Sequence, residues 1–255
     1  MRFVLVHGGA HGAWCWNRLI PELRRLGHEA VALDLPGAGD RREEVATLAG
    51  YRDAIVDVME PGDVVVGHSM GCCPATIAVD AFPEVSHVVY IAGPIPVEGE
   101  TIASASGASG EADNGELMAR SEGAERYIRL EDGGARFTFA PEDARRCFHH
   151  DCPDDVAAWA IERLTPQQTA VLAVEPVRVP TFWAAAPPRS YIRCTDDRAF
   201  PTRLSKGHVE RLGVAELTIA AGHVPQLSRP TDLASLLLQA VETTPIGKLL
   251  PGWPR

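Results

Sequence analysis

The sequence predicts an α/β protein, a mostly parallel sheet of about six strands flanked by helices, with a helical insertion after the fourth strand. Three observations carry that expectation. Short β-branched and aliphatic runs alternate with segments whose apolar residues recur at helical spacing. Turn-forming residues, among them Asp34-Leu35-Pro36-Gly37, Pro61-Gly62 and Gly93-Pro94, punctuate the alternation. A chain of 255 residues, 45% hydrophobic, can bury one large core more readily than two small ones.

Taken in order, Phe3 to His7 reads as a first strand running into the glycine-rich loop Gly8-Gly9-Ala10-His11-Gly12. From Trp14 the spacing turns helical through Trp16, Leu19, Ile20, Leu23 and Leu26, with Gly27 placed to end the helix. A second strand spans Ala30 to Leu33, and Leu48, Tyr51, Ile55, Val58 and Met59 mark the next helix. Val64-Val65-Val66 is a third, buried strand that stops at Gly67-His68-Ser69-Met70-Gly71. Ala75, Ala78, Val79 and Phe82 form a helical stripe closed by Pro83, and Val85 to Ala92 supplies a fourth strand.

Beyond Gly93 the alternation breaks. Thr101 to Gly115, rich in Ser, Ala and Gly, reads as a mobile loop, and Leu117 to Leu172 as mixed helical with charged faces. Residues 94–179 are therefore expected to form a cap or lid, inserted into a core made of 1–93 and 180–255. The sheet pattern resumes at Arg189 to Cys194, followed by a helix from Pro201 to Leu212 and a last strand from Val214 to Ile219. Leu233, Leu236, Leu237, Ala240 and Val241 form a closing helix with Thr231 as its N-cap, and the tail from Pro245 reads as irregular.

The net charge of −10 argues against nucleic acid or an anionic membrane surface as a partner, because both select a basic face. The N-terminal apolar run is too short for a signal-peptide core, and no run reaches membrane-spanning length. Cys15, Cys72, Cys73, Cys147, Cys152 and Cys194 lack CxxC spacing and sit beside apolar residues. They read as buried free thiols of a cytoplasmic protein, with a Cys147–Cys152 disulfide as the lesser alternative. The expected partner is a small-molecule substrate, with homodimerisation left open.

In a parallel sheet, ligands bind outside the carboxyl ends of the strands. Four chemically competent residues fall at three such ends: Ser69 after the third strand, Asp196 and Asp197 after the fifth, His223 after the sixth. Gly-x-Ser-x-Gly suits a sharp strand-to-helix turn that presents one hydroxyl, so Ser69 is the candidate nucleophile. A serine hydroxyl needs a base within hydrogen-bond reach, and the imidazolium formed needs a carboxylate to orient it. His223 fits the first role, Asp197 or Asp196 the second. The backbone N–H groups of Gly9 and Met70 are candidates for binding an oxyanion. This chemistry calls for neither cofactor nor metal ion.

Other chemically suggestive residues have plainer readings. His11, His68, His149 and His150 fit loop residues or walls of the binding site, and Glu98 a charged loop side chain. Trp14, Trp159 and Trp183 fit core or cap packing, and Cys72 and Cys73 small filler behind the serine turn.

The segments Phe3 to Trp16, Gly27 to Leu35, Gly67 to Gly71, Tyr191 to Asp197 and Gly222-His223-Val224-Pro225 together resemble the small α/β-hydrolases, the group of plant hydroxynitrile lyases, plant methyl esterases and bacterial esterases. His11-Gly12-Ala13-Trp14-Cys15-Trp16 is the most specific of these motifs. The resemblance implies the α/β-hydrolase fold and a catalytic order Ser69, Asp197, His223. Asp197 is preferred to Asp196 because Cys194 to Pro201 is similar to the family's Cys-Thr-x-Asp-x-x-x-Pro pattern. The lyase branch carries a threonine and a lysine where this chain has Gly8 and Val224, so the resemblance implies an esterase, with cyanohydrin cleavage disfavoured. A lactonase, a thioesterase, a C–C hydrolase or a small-molecule receptor would share the same framework.

Overall fold

The sheet is built from strands whose side chains are buried on both faces. A computed structural model describes residues 1–107 and 123–243. In chain order, the first half of the core comprises β1 (Arg2–Val6), α1 (Leu19–Arg25), β2 (Glu29–Leu33), α2 (Leu48–Val56), β3 (Val64–His68), α3 (Cys72–Ala81) and β4 (His87–Ile91). Next come α4 (Ile102–Ala105), β5 (Ile128–Glu131), β6 (Arg136–Phe139), α5 (Pro141–Cys147), α6 (Asp154–Ile161), β7 (Gln167–Gln168), α7 (Ala170–Ala173) and α8 (Phe182–Ala185). The chain returns to the core with β8 (Arg189–Cys194), α9 (Thr202–Leu212), β9 (Glu216–Ile219), α10 (Pro225–Ser228) and α11 (Pro230–Thr243).

The main sheet runs β2-β1-β3-β4-β8-β9. All its pairings are parallel, with Val4 opposite both Val31 and Val65. Alternation along the strands divides the core. Phe3, Leu5, Val64, Val66 and Ile91 join Leu19 and Leu23 of α1 and Leu233 and Leu237 of α11 on one face. Val4, Val6, Val65, Val88 and Tyr90 meet Tyr51 and Ile55 of α2, Ile77 of α3 and Leu212 of α9 on the other. Each such side chain contributes about 1.5–3 kcal/mol relative to its exposed state. This is why the triple-valine run becomes the central strand that carries Ser69.

Several expectations need correction. The helix expected from Trp14 starts as a 3-10 turn over Ala13–Trp16, and α1 begins only at Leu19; Gly27, with φ of 83°, does end it. The fourth strand is shorter than Val85 to Ala92: it spans His87–Ile91, its ladder with β3 beginning at His87 opposite Val64. The last strand starts at Glu216 rather than Val214. Thr231 is not an N-cap: α11 already begins at Pro230, whose fixed φ suits a first helical position.

The largest difference lies between β4 and β8. The segment expected to be helical also holds a three-stranded antiparallel sheet, β5-β6-β7, in which Ile128 faces Phe139 and Phe137 faces Gln167. Arg136-Phe137-Thr138-Phe139 alternates with period two, but over only four residues. In the expected loop at Thr101 to Gly115, Ile102–Ala105 forms a helical turn closed by a capping box between Thr101 and Ser104. Residues 108–115 of that loop, the start of the Leu117 to Leu172 segment and the tail from Pro245 lie outside the described residues.

Candidate active site

The chain leaves β3 through Ser69, whose φ of 53° is left-handed and costs a non-glycine residue roughly 1–2 kcal/mol. Close approach explains the glycines beside it. A Cβ on Gly67 would stand 2.8 Å from Cys72 Cα, and one on Gly71 would stand 2.8 Å from the Val6 carbonyl oxygen. Ser69 is thereby lifted out of the sheet toward two later strand ends.

Ser69 Oγ lies 2.9 Å from His223 Nε2. On the other side of that ring, His223 Nδ1 lies 3.0 and 2.9 Å from the two carboxylate oxygens of Asp197. The side chains of His223 and Asp197 are only 3% and 1% exposed. Asp197 Oδ1 also accepts the N–H groups of Ala199, at 2.8 Å, and Phe200, at 2.9 Å, which fix the carboxylate. An acceptor at Nδ1 favours the tautomer with its proton there, leaving Nε2 free to take the Ser69 proton. Asp196 is exposed; its backbone oxygen, not its carboxylate, meets His150 Nε2 at 2.9 Å. Gly9 and Met70 both line the cavity beside Ser69.

The histidines group behind this line. His68 Nε2–H donates to the His223 backbone oxygen at 2.7 Å, while Gln226 Nε2 donates to His68 Nδ1 at 3.2 Å. His68 is thus a support for the loop bearing His223. His7 Nε2 accepts Leu35 N–H, so its Nδ1–H donates to Gly8 O, and His11 Nδ1–H donates to Gly9 O at 2.8 Å. On the opposite side of the His223 loop, Gly222 N–H donates to Asp151 Oδ2 at 2.7 Å. Gln226 and Asp151 carry no motif that sequence reading could single out; only the fold brings them to the loop.

Burial of histidines, at the site and elsewhere, gives the protein a pH signature. It pushes His11, His87 and His208 from 6.5 to about 4, and lowers His68 and His149 as well. Between those values the unfolded chain binds more protons than the folded one, so stability rises with pH there and is lost on acidification. Each such group contributes about 1.4 kcal/mol per pH unit. The melting temperature followed by circular dichroism is therefore expected to be lower at about pH 5 than at about pH 7. An equal or higher value at the acid pH would contradict it.

Ser69 opens on a cavity of about 240 Å³. Phe137, Phe139, Phe148, Phe200, Ile128 and Leu172 supply much of its wall, and no described lining residue is charged. The first two phenylalanines and Ile128 belong to the small sheet and were not singled out from sequence. Gly8 and Val224, which separated the lyase and esterase expectations, are both tightly placed. A Cβ on Gly8 would lie 2.8 Å from Ser69 Cβ, and Val224 is fully buried.

The remaining candidates have structural roles. Glu98 pairs with Arg178 and accepts Val179 N–H, and all six cysteines are free and buried. Trp14 stacks on His11 and meets Trp159 edge-on, while Trp183 Nε1 donates to Pro96 O. Among the described residues no group of three or more His, Cys, Asp or Glu is arranged to hold a metal ion, and no helix is long and apolar enough to cross a membrane.

The parallel six-stranded sheet agrees with the fold of the relatives that the chain matches. Residues 3–236 match the model of the alpha/beta hydrolase family, and the chain belongs to that family. It is 29% identical to norfluorocurarine synthase 1 of Strychnos sp, covering 94% of this chain and 95% of that one. It is 27% identical to polyneuridine aldehyde esterase of Rauvolfia serpentina, covering 92% and 94%, and 27% identical to methyl jasmonate esterase 1 of Vitis vinifera, covering 94% and 97%. A solved structure of polyneuridine aldehyde esterase superposes with a TM-score of 0.77 at 26% identity, over 93% of this chain and 98% of that one. The expected likeness to plant methyl esterases is borne out.

Proposed function

We propose that this protein is a serine hydrolase that cleaves an uncharged carboxylic ester of a small or medium hydrophobic substrate through an acyl-enzyme. The observation that carries the reading is the unbroken line Ser69 Oγ, His223, Asp197 ending on an apolar cavity. Two of the relatives above are named as esterases, which supports the same reaction class.

In this mechanism Ser69 Oγ attacks the ester carbonyl carbon as its proton passes to His223 Nε2. Asp197 holds the resulting imidazolium. The Gly9 and Met70 N–H groups receive the oxyanion, each donor lowering the barrier by a few kcal/mol. Collapse expels the alkoxide, which takes the proton from His223 and leaves as the alcohol. A water then gives a proton to His223 and attacks the acyl-Ser69. The second collapse releases the acid and restores the serine. Residues 94–179 would act as the cap that sets which acyl and alkyl groups fit. Cyanohydrin cleavage is disfavoured because Gly8 offers no hydroxyl and Val224 no charge.

The test is a panel of neutral and charged p-nitrophenyl and methyl esters, with lactones and thioesters beside them, combined with fluorophosphonate labelling. Neutral hydrophobic esters are expected to turn over and charged ones of equal size to be poor substrates. Peptide mass mapping should place the phosphonyl group on Ser69. Labelling elsewhere, or turnover of none of the neutral esters, would overturn the reading.

A further inference from the structure

The loop carrying Gly9 is held from outside the core sheet. Ala10, next to it, has φ of 60°, a left-handed value that disfavours a residue with a Cβ. Gln167 of β7 meets this point: its Oε1 accepts Ala10 N–H at 3.3 Å and would lie 3.8 Å from a Cβ on Gly9. Two residues earlier, Thr165 N–H donates to Ala10 O at 2.8 Å. The Gln167 amide is itself oriented, because Nε2 donates to the Tyr51 hydroxyl of α2 at 3.2 Å and both side chains are buried.

The same short strand has a second attachment. Gln168 Oε1 accepts Ala46 N–H at 3.0 Å, and its Nε2 donates to Glu44 O at 2.7 Å. On its other edge β7 pairs with β6, where Phe137 stands opposite Gln167 and, with Phe139, walls the cavity. One small sheet therefore touches both the bound substrate's space and the loop that would receive the oxyanion. Gln167 is not part of the cavity wall, so its effect must pass through that loop.

We propose that Gln167 is a positioning residue that sets the Gly9–Ala10 backbone for oxyanion binding and makes that geometry depend on the small sheet being seated over the substrate. This rests on the esterase reading. Substrate packed against Phe137 and Phe139 then favours the arrangement in which the oxyanion donors are aligned, so binding away from the reacting carbon is used in the transition state.

The experiment compares wild type, Gln167→Leu, Gln167→Glu and Tyr51→Phe on a neutral p-nitrophenyl ester, with inhibition by an aryl trifluoromethyl ketone and by the matching unreactive methyl ketone. Loss of an oxyanion donor outright costs about 10²–10³-fold in kcat, so a misaligned one in Gln167→Leu should cost about 10- to 100-fold. KM should move by less than about threefold, because ground-state binding is not the interaction removed. Affinity for the trifluoromethyl ketone, which forms a tetrahedral adduct, should fall in parallel with kcat while that for the methyl ketone stays put. Gln167→Glu keeps an acceptor for Ala10 N–H and should recover most of the rate, and Tyr51→Phe should show a smaller loss of the same pattern.

A folded Gln167→Leu with kcat within about threefold of wild type, or with both ketones weakened equally, overturns the inference. If that variant does not fold, Tyr51→Phe decides by the same split between the ketones. A wild-type protein that hydrolyses none of the esters overturns the esterase reading and this inference with it; an active wild type with unaffected Gln167 variants overturns this inference alone.

Discussion

Ser69→Ala is expected to lower kcat/KM on p-nitrophenyl acetate by about 10⁴-fold or more, equivalent to about 5 kcal/mol of transition-state stabilisation. No neighbouring group can take over the attack. Cys72 and Cys73 sit just behind the elbow, but their thiols are buried, pushed up by that burial, and placed to donate to the Gly67 and Pro94 carbonyl oxygens. What remains is attack by water, with His223 as base and the loop amides at the oxyanion. Because Ser69 and His223 would act as one unit, Ser69→Ala combined with His223→Ala should be little worse than either alone. Activity of Ser69→Ala within about tenfold of wild type would end the acyl-enzyme mechanism. The alanine also relieves none of the backbone strain at φ of 53°, so the melting temperature should hardly move and a folding defect would not explain the loss.

What could be read from the chain and what could not follow from sequence distance. The central strand, the serine turn and the ends of β8 and β9 were legible because each is a local pattern whose side-chain requirements lie within a few residues. The choice of Asp197 over Asp196 came from the resemblance of Cys194 to Pro201 to the family's pattern, not from the two residues themselves. Adjacent carboxylates differ only in which one the turn after Cys194 aims at His223, and the amides of Ala199 and Phe200 settle that aim. His68 was legible as a residue near the site but not as a support, since its partner is the His223 carbonyl, 155 positions away. The small sheet failed for a different reason. Its strands are four, four and two residues long and carry many charged or polar side chains, too short for a period-two pattern to stand out. The cavity wall it supplies, and Gln167 with it, became visible only once β6 and β7 were paired.

Asp197→Asn should cost about 10³–10⁴-fold in kcat near neutral pH with little change in KM, although the side chain keeps its shape. The hydrogen bonds already present dictate why. Oδ1 accepts two backbone N–H groups, from Ala199 and Phe200, so the asparagine carbonyl oxygen must take that position and its NH2 must take the place of Oδ2. That NH2 then points at His223 Nδ1, where Oδ2 stood at 2.9 Å. The carbonyl oxygen left 3.0 Å from Nδ1 is neutral and already takes two N–H groups, so the donor now facing Nδ1 favours the tautomer with its proton on Nε2, the nitrogen 2.9 Å from Ser69 Oγ. In that tautomer His223 can donate to the serine but cannot remove its proton. Asp197→Ala imposes no tautomer, so the isosteric asparagine should be at least as damaging as the truncation, the reverse of what side-chain volume alone would suggest. A steady-state comparison of the two variants on one neutral ester decides it: asparagine retaining more than about a tenth of wild-type kcat would mean that Asp197 does not set the protonation of His223.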